Sequence, residues 1–136
     1  MAGISSLSGV AAVQAELQRL AKTDREVKAH EQAHLSAAGA YASSGPSYSY
    51  VTGPDGKRYA VSGEVRIDTS AVPGDPRATI RKAQAIIAAA NAPAEPSGQD
   101  RAVAAQAAQM QAKARVELAY SRPADAAPAP RVSYSA

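Results

Sequence analysis

Apolar and polar positions alternate with two different periods along the chain, and the changes of period mark its elements. Val10, Val13, Leu17 and Leu20 recur at helical spacing among good helix formers, which predicts a helix over residues 10–20. Thr23-Asp24-Arg25-Glu26 has the form of a capping box that opens a second helix through Val27, His30, His34 and Leu35 to about residue 42. One continuous helix through both stretches is the alternative. Ser43-Ser44-Gly45-Pro46 ends the helical pattern.

The period then shortens. Residues 47–52 (SYSYVT) and 58–62 (RYAVS) are rich in strand formers, and Gly53-Pro54-Asp55-Gly56 between them is turn chemistry, so the pair predicts a β-hairpin. The second strand extends on paper through Asp68, with Val65 and Ile67 on one face and Glu64, Arg66 and Asp68 on the other. Gly63 suits a bulge or a close approach. Asp75-Pro76 caps and opens a helix through Ile80, Ala83, Ile86 and Ile87, and Pro93 and Pro96 follow it. Ser97, with Asp100 in the first turn, opens a last helix whose apolar stripe is Val103, Ala107, Met110 and Ala114. From Arg122 the sequence holds too much proline and too little apolar content to pack. The expected organisation is an N-terminal helical segment over residues 1–22, a domain over 23–120 and a disordered tail over 121–136.

Composition makes the core thin. The chain has 136 residues, and its 46% hydrophobic content includes no Phe and no Trp. A domain of this size often leans on a metal, a disulfide or a partner. Disulfides are excluded, because there is no cysteine. For the same reason a zinc site here must be built from histidine and carboxylate. The net charge of +3 is spread along the chain without a basic run, which argues against nucleic-acid binding. No window reads as a signal sequence or a membrane span, so the expectation is a soluble cytoplasmic protein, with export by a route lacking a cleaved signal left open.

The chain's two histidines are His30 and His34, and Glu31 follows the first. Four residues apart on a helix, two imidazoles project from one face and can share a metal ion. In HExxH metallopeptidases the glutamate takes a proton from the metal-bound water and delivers it to the leaving amine. The competing explanation is two surface histidines at that spacing by chance. Shuffling this composition, with its two histidines, produces the pattern in roughly one case in two thousand. A third ligand must then be a carboxylate or, less commonly, a tyrosine. Glu64 on the hairpin strand is the first choice, and Asp68 on the same face is the second or an outer-shell partner. Asp75, Glu95 and Asp100 rank lower, since they sit at helix starts and a proline-rich turn. Tyr48 and Tyr59 are candidate donors to an oxyanion, against the commoner reading of half-buried strand residues.

The pieces AHEQAH, GPSYSY, GPDGKRYAVSGEV, VPGDP and APAEPSGQDRAVAAQA occur in an order that resembles the SprA-related family of bacterial metalloproteases, over about residues 26–114. The resemblance implies a zinc-dependent, zincin-like peptidase domain with His30, Glu31 and His34 at the HExxH positions. Where the family has a Gly-Gly pair before a glutamate, this chain has Ser62-Gly63-Glu64. The overall expectation is an α+β domain, an HExxH helix near a β-hairpin with two further helices, that binds Zn²⁺ and cleaves a peptide or protein substrate without nucleic-acid or membrane partners. The alternative is a non-enzymatic protein-interaction module with a structural zinc or none.

Overall fold

The computed structural model describes the backbone of residues 2–126 and the side chains of residues 8–121. The fold class is α+β. In chain order the elements are helix α1 (Ala2–Ala38), a 3-10 turn (Gly39–Tyr41), strands β1 (Ser47–Thr52) and β2 (Arg58–Glu64), and helices α2 (Pro76–Ala90) and α3 (Gly98–Ala126). Two compact units divide the chain, Met1–Ile67 and Asp68–Ala136.

In the first unit α1 is continuous across residue 22, so the second of the two helical alternatives is the one that forms. The helix stops where Gly39 takes a positive φ of 54°, the left-handed conformation that closes a helix at little cost only for glycine. The hairpin turn is built as its residues suggest. Gly56 N–H donates to Gly53 O at 3.0 Å and Gly53 N–H to Lys57 O at 2.8 Å. Gly56 at φ 79° supplies the left-handed residue that follows a proline-led turn in three-residue hairpin loops. β1 and β2 pair antiparallel, and beyond them Ser43 N–H donates to Arg66 O at 2.8 Å, so pairing resumes past the interruption at Gly45-Pro46. β2 ends at Glu64, shorter than the strand through Asp68 that alternation suggests.

The second unit is a pair of packed helices. Asp75 caps α2 by accepting the Ala78 N–H at 3.0 Å, with Pro76 at the first helical position. Ser97 and Asp100 form the reciprocal capping box of α3: Asp100 N–H donates to Ser97 Oγ at 3.1 Å, and Ser97 N–H to Asp100 Oδ2 at 2.7 Å. α3 continues to Ala126, so residues 121–126 of the expected tail are helical, and the remainder of that tail lies outside the described residues. The buried apolar positions are Ala83, Ile86, Ala89, Ala90, Ala107 and Ala114, a contact surface of methyl groups with one large side chain. Alanine lets two helices approach closely but removes little area from water, so Ile86 carries a disproportionate share of the burial. No helix among the described residues is long and apolar enough to cross a membrane.

Lys82 is buried on α2, and its Nζ lies 3.0 Å from Asp68 Oδ2 and 3.4 Å from Ser70 Oγ. A buried ammonium is tolerated only when paired in this way. Because Ile86 is fully buried, Ile86→Ala leaves a cavity with few neighbours able to fill it. We expect a loss of about 2–5 kcal/mol in urea unfolding, against changes within about 0.5 kcal/mol for substitution of the exposed Val116.

Candidate metal centre

One turn of α1 separates His30 from His34, and the fold brings their Nε2 atoms to 3.2 Å. The rings meet edge to face, with centroids 4.8 Å apart and planes inclined by 73°. Two imidazoles ligating one tetrahedral zinc at about 2.0–2.1 Å have nitrogens about 3.3 Å apart. The observed separation is therefore the one a shared ion requires. It also suits an N–H···N hydrogen bond when one ring carries its proton on Nε2. His34 is 4% exposed and His30 is half-buried.

Glu31 lies between them in sequence and is 5% exposed. Strand β2 covers it, and the contact depends on a missing side chain. A Cβ on Gly63 would stand 2.9 Å from Glu31 Cγ, 2.8 Å from Tyr48 Cδ1 and 3.1 Å from Ser47 O. Only glycine lets the strand come this close. Tyr48 pairs with Gly63 across the hairpin, and its ring covers the bare backbone beside Glu31. Burial raises the Tyr48 phenol above its ordinary pKa, and the nearby Glu31 carboxylate adds to the rise, so Tyr48 remains a hydrogen-bond donor at neutral pH.

A β-bulge sets which residues of β2 are covered. The register runs Tyr48↔Gly63 and Ser49↔Ser62, then jumps to Tyr50↔Ala60, so Val61 is the extra residue. A regular strand would keep Ala60, Ser62 and Glu64 on one face. Here Ala60 is fully buried, Val61 and Ser62 are exposed, and Gly63 sits against Glu31. Alternation then carries Glu64 to the other face, where Oε1 lies 3.6 Å from Arg66 Nε.

Asp24 fixes the depth of the hairpin on α1. Its Oδ1 accepts the Ala60 N–H at 2.8 Å and its Oδ2 lies 3.1 Å from Lys28 Nζ. The Ala60 hydrogen bond, with help from Lys28, holds the carboxyl below the ordinary aspartate range. Sequence reading assigned this residue to a capping box. The signal that it had another role was its spacing, seven residues before Glu31 on the same helix face.

The other sequence candidates have different neighbours. Tyr59 donates its hydroxyl to Asp55 Oδ2 at 2.6 Å within the hairpin turn, a bond that raises the phenol's pKa and lowers the carboxyl's. Asp68 belongs to the second unit, where Oδ1 accepts from Ser70 Oγ at 2.6 Å and from Ser70 N–H at 3.0 Å. With Lys82 on its other oxygen, it is held well below the usual carboxylate range.

A helix presenting a histidine pair beside a buried glutamate, roofed by a β-hairpin, defines a small α+β protein with a candidate metal centre. The sequence profile of the SprA-related family matches residues 5–130, and the chain belongs to that family. Searches of curated proteins and of solved structures returned no match.

Two measurements check this construction. Gly63→Ala should cost about 1–3 kcal/mol in chemical unfolding, with part of the loss recovered when Tyr48→Ala is added, because the new methyl collides with that ring. Asp24, whose folded pKa lies below its unfolded value of about 3.9, contributes stability above that pH and loses it as pH falls through the folded pKa. The acid limb of a stability–pH curve should accordingly be shallower for Asp24→Asn than for the parent below about pH 4.

Proposed function

We propose that the chain is a zinc-dependent peptidase of zincin-like type. The observation that carries this reading is the His30–His34 Nε2 pair at 3.2 Å with the buried Glu31 carboxylate one residue away. The donor set fits zinc: imidazole nitrogens at chelating distance, in a chain without cysteine. When bound, the ion supplies Lewis acidity that lowers the pKa of water and polarises a peptide carbonyl.

The rest of the chemistry belongs to this chain's own residues. Glu31 accepts the proton of the attacking water at its carboxylate and returns it to the leaving amine. Its burial under Gly63 keeps competing solvent away from that proton and fixes the carboxylate's position. Tyr48, beside Glu31 with its proton retained, donates a hydrogen bond where negative charge develops on the carbonyl oxygen. β1 pairs only with β2 among the described residues, and its outer edge offers backbone groups to an extended peptide. A proline scan of Ser47–Thr52 that leaves cleavage unchanged would remove that last element.

Elemental analysis of the purified chain should find one zinc per molecule, lost in His30→Ala and in His34→Ala. Glu31→Gln should keep the zinc while lowering cleavage of an unstructured protein substrate by about a hundredfold or more. Full cleavage in Glu31→Gln would end the general-base assignment. The absence of zinc even after reconstitution would end the metal reading and favour the interaction module. Replacing Glu64, Asp68, Glu95 and Asp100 one at a time identifies any carboxylate ligand by its effect on zinc affinity. With its carboxylate beside Arg66, Glu64→Gln is expected to change that affinity by less than about threefold, below the 10-fold loss typical even of an outer-shell partner.

A further inference from the structure

Helix α1 carries one stripe at alternating spacings of three and four residues: Val10, Val13, Leu17, Leu20, Asp24, Val27, Glu31, His34 and Ala38. Burial changes steadily along it. Glu31, His34 and Ala38 are buried, and the four residues from Leu17 to Val27 are half-buried. Val10 and Val13 are 56% and 41% exposed. The stripe is thus inverted, with its polar end covered and its apolar end in water, and an exposed apolar stripe is the informative departure from ordinary surfaces. Every residue from 8 to 16 is exposed, so among the described residues no side chain of this end is covered.

Charge distinguishes the same segment. Residues 1–15 carry no Asp, Glu, Lys or Arg, and the first charge on the chain is Glu16. A solvent-facing helix normally holds charges on its polar side, whereas their depletion marks the centre of an interface. Exposed helices of this length are also marginal in water unless an apolar face is packed.

We propose that the apolar half of α1, from Val10 to Leu20, packs against the same face of a second copy of this chain to form a two-fold dimer. Spacing and charge both select that occupant. Alternate steps of three and four are what one helix presents to another, and the stripe Val10, Val13, Leu17 and Leu20 brings no charged side chain against its own copy. Area sets the strength. Residues 10–20 make a rod about 16 Å long and about 10 Å wide, so the pair buries an interface at the small end of the range, below about 1,200 Å². The dimer is weak and forms at micromolar concentrations or above.

Sedimentation equilibrium of the full chain from about 1 µM to about 1 mM tests this. The weight-average mass should rise from 13.9 kDa toward twice that value, and helix content should rise with it. Val10→Glu/Val13→Glu, altering only exposed side chains, should hold the mass at the monomer value while urea unfolding of the rest stays unchanged. A monomer at every concentration overturns the proposal. So does a monomer that binds anionic lipid vesicles through Val13, which would assign the face to a membrane surface. Dimerisation that appears only after removal of residues 127–136 also overturns it, by showing that this segment covers the face.

Discussion

Everything in the first unit depends on how closely strand β2 lies on helix α1. Two small residues, Ala60 and Gly63, permit the approach, and the Asp24 carboxylate fixes it by accepting the Ala60 N–H at 2.8 Å. The bulge at Val61 lets two residues three apart share the covered side. Had the strand run regularly, Ser62 would have replaced Gly63 against Glu31, and its side chain would have needed room that the observed contact does not leave. Burial of Glu31 therefore follows from a backbone irregularity and a missing Cβ.

Stability is distributed unevenly in a chain built this way. The buried part of the second unit consists mainly of alanine methyl groups, one isoleucine, Thr79 and a lysine held by an aspartate and a serine, with Ile80, Ile87, Val103, Met110 and Leu118 half-buried around it. Close packing of alanine gives dispersion contacts but little transfer of area from water. Polar ties consequently bear more of the specificity than they would in a domain with an aromatic core. Asp24 in one unit and Asp68 in the other play the same part, each anchoring a segment to a helix.

Much of this was legible in the sequence. The hairpin, its turn, the caps of α2 and α3 and the two units' helices follow from local chemistry, because Pro, Gly, Ser and Asp act within a few residues of where they stand. The histidine pair was legible for the same reason, since helical spacing alone places it. What needed the fold was long-range. Asp24 resembled a cap because capping and strand-pinning use the same short carboxylate, and only its partner 36 residues away tells them apart. Glu64 was singled out for its place on the hairpin strand beside Gly63, and which face of that strand each residue takes depends on the bulge at Val61, which is invisible to a period of two. Tyr48 and Tyr59 were indistinguishable as strand tyrosines. One lies over Gly63 beside Glu31, and the other is tied to Asp55 in the turn.

The placement of both imidazoles on a single turn of α1 also bears on folding order. Such a chelate needs only local helix, with a sequence separation of four, and none of the hairpin's long-range contacts. A metal ion can therefore be captured by the nascent or unfolded chain, where it favours the helical turn that the native state later uses. An ion bound on both sides of the unfolding equilibrium would stabilise the native state by less than its affinity alone implies. Affinity and thermal shift should be read as separate quantities in this protein. The gap between them measures how much of the site exists before the strand arrives.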